Sequence, residues 1–338
     1  MKRIYRFLKR ISMKFCIFVI DTIQYIYEML LSIFDRRIRV SFTNFWNNLQ
    51  YIHIHFFIKE IDIKKWRIVK YYNPQIHFFS VFGDAKKVKN SKARVKIFYT
   101  GENTDVTPYA QYKGNCVDCV DLSLGFNYIK TNNYIRLPIW IVSFFFNCDS
   151  KDEIKCILDN TKKQHQKTKF CALIASHDRA GLRTQIYSDV SRVAEVDCPG
   201  KLLHNDDTLQ IKYNDNKRMY LQLYKFNICP ENSIAKGYCT EKLFDSLLSG
   251  CIPIYNGYSK DPEPDIINPN IILWYDEFDS ENNKHTLNEI KKVHNNDKLY
   301  RSFIEQPFFC DTAVDKIYDI LNKFNEKIRE ILISKKII

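Results

Sequence analysis

Residues 224–257 read YKFNICPENSIAKGYCTEKLFDSLLSGCIPIYNG, and the fold class follows from how this stretch is partitioned. Lys225 to Cys229 is a short apolar strand. The loop Pro230 to Thr240 follows it. Leu243, Phe244, Leu247 and Leu248 then mark one face of a helix. Gly250 stands at the C′ position, where a residue that adopts positive φ is favoured. Cys251 to Tyr255 is the next strand, closed by the turn Asn256-Gly257. Strands joined by helical crossovers point to a parallel α/β sheet.

The pattern continues on both sides. Lys169 to Ser176 (KFCALIAS) reads as a buried strand, followed by a polar loop from His177 to Gly181. Leu182, Ile186, Val190 and Val193 predict a helix after that loop. Ile271 to Trp274 is one more strand. Upstream, Ile38 to Phe42, Ile76 to Phe82 and Val95 to Tyr99 are apolar runs that end at Asn44 and Trp46, at Gly83 and at Thr100-Gly101-Glu102-Asn103. The polar run Asp159 to Thr168 (DNTKKQHQKT) is the natural linker. A chain of 338 residues fits two domains of about 150 residues each. The expected architecture is α/β, with two Rossmann-like domains facing a cleft. Its parts are a basic amphipathic segment at 1–37, an N-terminal domain at 38–160, a C-terminal domain at 161–325 and a basic terminal helix at 326–338. Parallel sheets of this kind bind ligands at the carboxyl ends of their strands.

Apolar residues make up 45% and charged residues 27%, which excludes disorder for most of the chain. Lys plus Arg is 51 against 39 Asp plus Glu, a net charge of +12. That excess points to an anionic partner: a nucleotide phosphate, a membrane surface or nucleic acid. Abundant Lys, Ile, Asn and Tyr also fit AT-rich codon usage, so part of the Lys excess carries no functional message. Scattered Lys without an RNA-binding motif argues against nucleic acid. Cys171, Cys229, Cys239 and Cys251 sit in apolar runs and are expected to be buried. Cys116 and Cys119 form a C-x-x-C without a second pair at zinc spacing, which reads as two ordinary loop thiols ahead of the alternative, a redox pair. No N-x-Ser/Thr sequon occurs. Together these features favour a reducing, cytoplasmic-side location.

Lys2, Arg3, Arg6, Lys9, Arg10 and Lys14 precede an apolar stretch from Phe15 to Phe34. Asp21, Gln24 and Glu28 interrupt it, and a carboxylate at mid-bilayer costs about 2.5–3.5 kcal/mol on the insertion scale. An amphipathic helix lying on an anionic membrane, or packed on the protein body, is therefore preferred over a spanning, Golgi-type signal-anchor.

Three strand-end loops carry residues that a core does not need. Glu102, past a buried strand and beside a glycine, is placed as a general base. Spacing alone favours the plainer reading, a solvated loop carboxylate. Arg183 and Lys242 lie in the first turns of two helices, where a cation opposes the helix dipole. Both therefore read as facing an anion, together with the N–H groups of the helix ends. The alternative is two exposed basic residues in a Lys-rich chain. No D-x-D, P-loop, G-x-G-x-x-G or G-x-S-x-G motif occurs. What remains is a protein that holds a diphosphate through its own cations, as a metal-independent nucleotide-sugar transferase does when the leaving oxygen gains charge.

Residues 224–257 strongly resemble the signature of the α-1,3/α-1,4-fucosyltransferases: Y-K-F, then E-N-[ST], then G-Y-x-T-E-K, a helix and [IV]-P-[IV]-Y-x-G. Phe98-Tyr-Thr-Gly101-Glu102-Asn103 resembles the upstream acidic motif of that family. Asn44-Phe-Trp46, Phe82-Gly83, Gly125-Phe126 and Tyr134-Ile-Arg136-Leu-Pro138 follow in the family's order. The resemblance runs over about 38–320 and is dense at 98–103 and 224–257. It implies a glycosyltransferase-B fold, with acceptor handling in the first domain and GDP-fucose binding in the second. It also implies single-displacement transfer that inverts the anomeric carbon; no cofactor is expected, and stimulation by a divalent metal stays open although no D-x-D site occurs. On this resemblance Glu102 corresponds to the catalytic base and Glu241 to a second essential carboxylate. Arg183 and Lys242 correspond to the diphosphate cations, and Asn232 and Tyr238 to donor-site residues. The implied partners are GDP-fucose and an acceptor oligosaccharide or glycoconjugate. Pro230 and Asn256 depart from the family's Phe and Trp. The rival readings are another GDP-sugar such as GDP-mannose, an inactive glycan-binding relic, and a membrane or nucleic-acid binding protein.

Overall fold

The computed structural model describes residues 2–46, 57, 59, 61–162, 167–178 and 180–338. Linker positions 163–166 lie outside the described residues. The chain divides into two compact units. The first comprises Met1–Leu124, Lys130–Ile135 and Lys323–Ile338, and the second Gly125–Ile129 and Arg136–Asn322.

The first unit is built on strands β1 (Ile38–Thr43), β2 (Trp66–Ile68), β3 (Ile76–Phe79), β4 (Val95–Tyr99), β5 (Leu122–Gly125) and β6 (Tyr134–Arg136), in the order β2-β1-β3-β4-β5-β6. Pairing from β2 through β5 is parallel, with Phe42 opposite Phe78 and Phe78 opposite Ile97. Val40, Ile76, Phe78, Ile97 and Phe98 are fully buried. This continuous burial is what a parallel sheet covered on both faces demands.

Helix α1 (Lys2–Phe34) precedes β1. Its polar interruptions fall on one stripe. Gln24 bonds Glu28, and the Glu28 carboxylate accepts the backbone N–H groups of Lys70, Tyr71 and Tyr72 at 2.9, 3.0 and 2.8 Å. Asp21 accepts the Tyr71 hydroxyl. Phe15, Phe18, Ile20, Ile23 and Ile33 are at least 60% exposed. The helix therefore turns its carboxylates inward and its apolar side chains outward. Its stretch Phe15–Phe34, with mean hydropathy 1.5, is long and apolar enough to cross a membrane by length and composition.

The second unit holds β7 (Lys169–Ala172), β8 (Val196–Asp197), β9 (Tyr224–Ile228), β10 (Ile252–Tyr255) and β11 (Leu273–Trp274), in the order β11-β10-β9-β7-β8. Every pair is parallel. Crossover helices α2 (Leu182–Val190) and α3 (Glu241–Leu248) follow β7 and β9. Val193, expected in α2, lies beyond its end, because the Arg192 N–H turns back to the Asp189 carbonyl. Gly250 closes α3 at φ 69°, donating its N–H to Leu247. Cys171, Cys229, Cys239 and Cys251 are buried. Trp140 stacks on Phe244 of α3 at 4.3 Å, a contact inside the second unit. The terminal helix α4 (Ala313–Ser334) starts well before the basic tail read from sequence. Ile317, Leu321, Phe324 and Ile328 form its buried face.

Candidate active site

The loops after β7 and β9 and the first turn of α3 form one pocket in the second unit. Arg183, Lys217 and Lys242 line it with Asn227, Pro230 and Asp245. Three cations against one carboxylate make it an acceptor of anions.

Arg183 is buried. Its guanidinium donates to the His177 carbonyl at 2.5 Å and to the Asn232 side-chain oxygen. Asn232 and Arg183, both picked out in the sequence, are thus direct partners. At the N-terminus of α2, read from sequence as a phosphate site, two of the backbone N–H groups are already taken. Asp178 accepts the N–H groups of Arg183 at 3.3 Å and Thr184 at 2.8 Å. Burial works against the Asp178 charge, and these N–H groups more than offset it, leaving its pKa lowered. Thr240, at the N-cap of α3, makes no side-chain cap.

Lys242 donates to the Thr240 hydroxyl at 2.9 Å and approaches Glu241 at 3.4 Å and Glu231 at 3.7 Å. Glu231 is a buried carboxylate. It accepts the Thr240 N–H at 2.7 Å, the Thr240 hydroxyl at 2.6 Å and the Tyr255 hydroxyl at 3.2 Å. Burial raises its pKa although Lys242 opposes the shift. The Lys242 pKa is raised: burial alone would lower it, and Glu231 and Glu241 outweigh that. Sequence reasoning passed over Glu231, although a carboxylate beside Asn232 at a strand end was a signal. It also missed Lys217 and Asp245, whose only cue is that Asp245 lies one helical turn after Glu241. Burial pushes the Asp245 carboxyl up to about 6.

Tyr238 does not line the anion pocket but lies near enough to act on the charge of Arg183, and its ring is edge-on to Phe126 at 4.9 Å. Glu102 belongs to the first unit. There Thr100 Oγ1 accepts the Glu102 N–H at 3.0 Å and donates to the Glu102 carbonyl at 3.0 Å. Asn256, at the family's Trp position, is buried, donates to the Tyr275 carbonyl at 3.0 Å and does not line the anion pocket. Among the described residues, no three His, Cys, Asp or Glu cluster as metal ligands.

Two parallel α/β units, the second with an anion-accepting pocket at its strand ends, define the glycosyltransferase-B class of fold. Residues 40–143 match the family model described as "Alpha-(1,3)-fucosyltransferase FucT N-terminal domain", and residues 164–309 match "Glycosyltransferase family 10 (fucosyltransferase) C-term". The chain belongs to glycosyltransferase family 10. It is 24% identical over 302 residues to the alpha-(1,3)-fucosyltransferase FucT of Helicobacter pylori, covering 78% of this chain and 58% of that one. It is 24% identical over 187 residues to the mouse 4-galactosyl-N-acetylglucosaminide 3-alpha-L-fucosyltransferase 9, covering 54% of this chain and 42% of that one. The chain thus spans less than two thirds of the length of either relative. A crystal structure of an alpha1,3-fucosyltransferase with GDP-fucose shares the fold, with a TM-score of 0.56 and 21% identity over 85% of this chain and 90% of that one.

Proposed function

We propose that this chain is an inverting fucosyltransferase that moves L-fucose from GDP-fucose to a hydroxyl of an acceptor glycan. The observation that carries this reading is the convergence of Arg183 and Lys242 in one pocket, each held in place by neighbouring side chains. In this reading Arg183 and Lys242 neutralise the diphosphate, with Lys217 as a third cation. Asn232 orients Arg183, while Glu241 and Tyr238 contact the donor. Glu102 is the general base. It takes the proton of the acceptor hydroxyl, the freed oxygen bonds to C1 of the sugar, and the C1–phosphate oxygen bond breaks with its electron pair leaving on GDP. The cations stabilise that pair as it forms.

Donor binding is the half of the reaction that is testable without the acceptor. Thermal unfolding with GDP, GDP-fucose, GDP-mannose, UDP and ADP reads it directly. A ligand at 100 times its dissociation constant adds about 2.7 kcal/mol of stability. A midpoint rise with GDP and GDP-fucose, absent with UDP and ADP, is expected. A larger rise with GDP-mannose replaces the sugar. No rise with any guanine nucleotide overturns the reading.

We further propose that α1 holds the protein peripherally on an anionic membrane. Its outward apolar face supports this, as does the docking of Glu28 on residues 70–72, which occupies the helix's polar stripe. Flotation of the full chain with phosphatidylserine vesicles, abolished by Phe18→Glu with Ile23→Glu, is the expected result. Loss of flotation in high salt alone would leave charge, not the apolar face, as the cause.

A further inference from the structure

A second pocket in the second unit, with a volume of about 180 Å³, shares no lining residue with the anion pocket. Tyr128, Lys236, Tyr238, Tyr258, Ser259 and Asp261 line it. Tyr128 and Tyr258 are each 54% exposed, so two large rings are held open to solvent around one concavity. A pyranose ring presents an apolar face of C–H groups and a rim of hydroxyls. Aromatic rings receive such a face, and the hydroxyls need donors and acceptors of the kind that Asp261, Ser259 and Lys236 supply.

This pocket is built by a dedicated network. Arg136 donates to both oxygens of Glu263, at 3.0 and 2.7 Å, and to the carbonyls of Phe126 at 2.9 Å and Gly237 at 3.1 Å. Trp140 donates to Glu263 at 2.9 Å. The guanidinium carbon lies 4.8 Å from the centre of the Tyr128 ring. One buried ion pair therefore ties together the three segments that carry Tyr128, Tyr238 and Asp261. Gly237 completes the wall. At φ 81° a Cβ there would lie 2.7 Å from the Tyr128 ring, so only glycine lets that ring close against the chain.

We infer that this pocket is a sugar subsite that seats one pyranose ring of the acceptor, an inference that rests on the transferase reading above. Its volume is below the roughly 300–1,000 Å³ of pockets that enclose a whole small ligand, which suits one ring. Lys236 and Asp261 leave it without the cation excess that a diphosphate requires. Tyr238, assigned above to the donor, forms part of its wall and places the pocket beside the donor-binding segment.

The test is saturation-transfer NMR on the full chain with GDP present. The probes are methyl β-galactoside, methyl N-acetyl-β-glucosaminide and the β-1,4-linked disaccharide of the two. At least one probe should receive saturation from the protein's aromatic protons. Tyr258→Ala should weaken that probe's affinity about tenfold, the scale of a lost aromatic contact, and Tyr258→Phe should restore most of it. The GDP-induced midpoint rise should be unchanged in both variants. Tyr128→Ala provides an independent wall variant. Unchanged probe affinity in both alanine variants, loss of the GDP effect in Tyr258→Ala, or no probe binding to a protein that binds GDP each overturns the inference. Failure of the wild-type chain to bind GDP is a different result and defeats the transferase reading itself.

Discussion

After β4 the loop carrying Glu102 is braced by hydroxyls and amides, among other contacts, whereas after β9 the loop at 230–240 is braced around a buried carboxylate and a lysine. In the first unit Thr100 bonds both ends of the Glu102 peptide, Thr104 donates to the Asn115 side chain, and Ser123 donates to the Asn115 carbonyl. Around Lys242 the frame is instead a buried Glu231, a neighbouring Glu241 and a hydroxyl between them. The difference suits the two roles proposed above. A general base changes its charge in every turnover, so a scaffold of hydroxyls and amides does not shift with it. A diphosphate site meets permanent charge, and cations held by buried carboxylates are already oriented before the ligand arrives.

Removing one group on each side breaks the comparison most directly. Glu102→Gln should lower turnover by about 10²–10⁴-fold, with the GDP-induced midpoint rise intact and a smaller loss of unliganded midpoint than Lys242→Ala. Lys242→Ala should lower turnover by about 10²–10³-fold and abolish the GDP effect. It should also lower the unliganded midpoint, because Glu231 is left buried without its cation. Equal unfolding of the two variants, measured by thermal melts without ligand, would mean that the two frames do not differ in the way described.

The same contrast governs what the sequence made legible. The second unit's site is nearly contiguous: a strand, Glu231 to Lys242 and a helix fall within one stretch, so spacing and pattern found β7, β9, β10, α2 and α3. Glu102 follows a strongly apolar strand, but spacing alone left it a solvated loop carboxylate, and the resemblance of Phe98 to Asn103 to the family's acidic motif singled it out. The residues that shape its loop, Asn115 and Ser123, are distant in sequence and chemically ordinary. Strands β2, β5, β6 and β8 escaped because each has two to four residues, too few for a period to show; β11, as short, was caught only within the apolar run 271–274. The start of α4 was overlooked because its basic end drew the reading, although Ile317, Leu321, Phe324 and Ile328 already carried the helical period. Asp178 shows the limit of dipole arguments: it lies in the preceding loop, and only geometry shows that it takes two N–H groups of the helix end.

pH sharpens the comparison at a smaller scale, because one buried group in each unit, His77 and Asp245, titrates in the opposite direction to the other. His77 sits between Thr43 and Ser91, and burial lowers its pKa to about 4. The unfolded chain, with a histidine near 6.5, then binds more protons than the folded one between those values. Stability from this group is complete above pH 6.5 and is lost as pH falls toward 4, by at most about 3 kcal/mol. Asp245 behaves in reverse. Its carboxyl, raised to about 6 by burial, favours the folded state when protonated. That contribution is present at low pH and disappears as pH rises through 6. Ionised Asp245 also adds negative charge to the anion pocket, so GDP affinity should fall over the same interval. His77→Gln should flatten the acid limb of the unfolding curve, and Asp245→Asn should flatten the pH dependence of GDP binding. Either variant altering the other unit's limb would count against independent titration.

The smallest effect separates backbone conformation from the site itself. Gly250 ends α3 at φ 69°, and the nearest atom to a Cβ placed there is the Thr161 carbonyl at 3.4 Å, an ordinary contact. Alanine at this position meets no steric obstacle, and its cost comes from the left-handed backbone alone, about 1 kcal/mol. Asparagine tolerates that conformation better and should cost less. Because α3 presents Glu241 and Lys242 from its first turn, at the opposite end of the helix, Gly250→Ala should lower the unliganded midpoint and leave the GDP-induced rise unchanged. If the rise shrank instead, the first turn of α3 would depend on how its last turn is closed, and the charged frame around Lys242 would be less pre-organised than the buried Glu231 indicates.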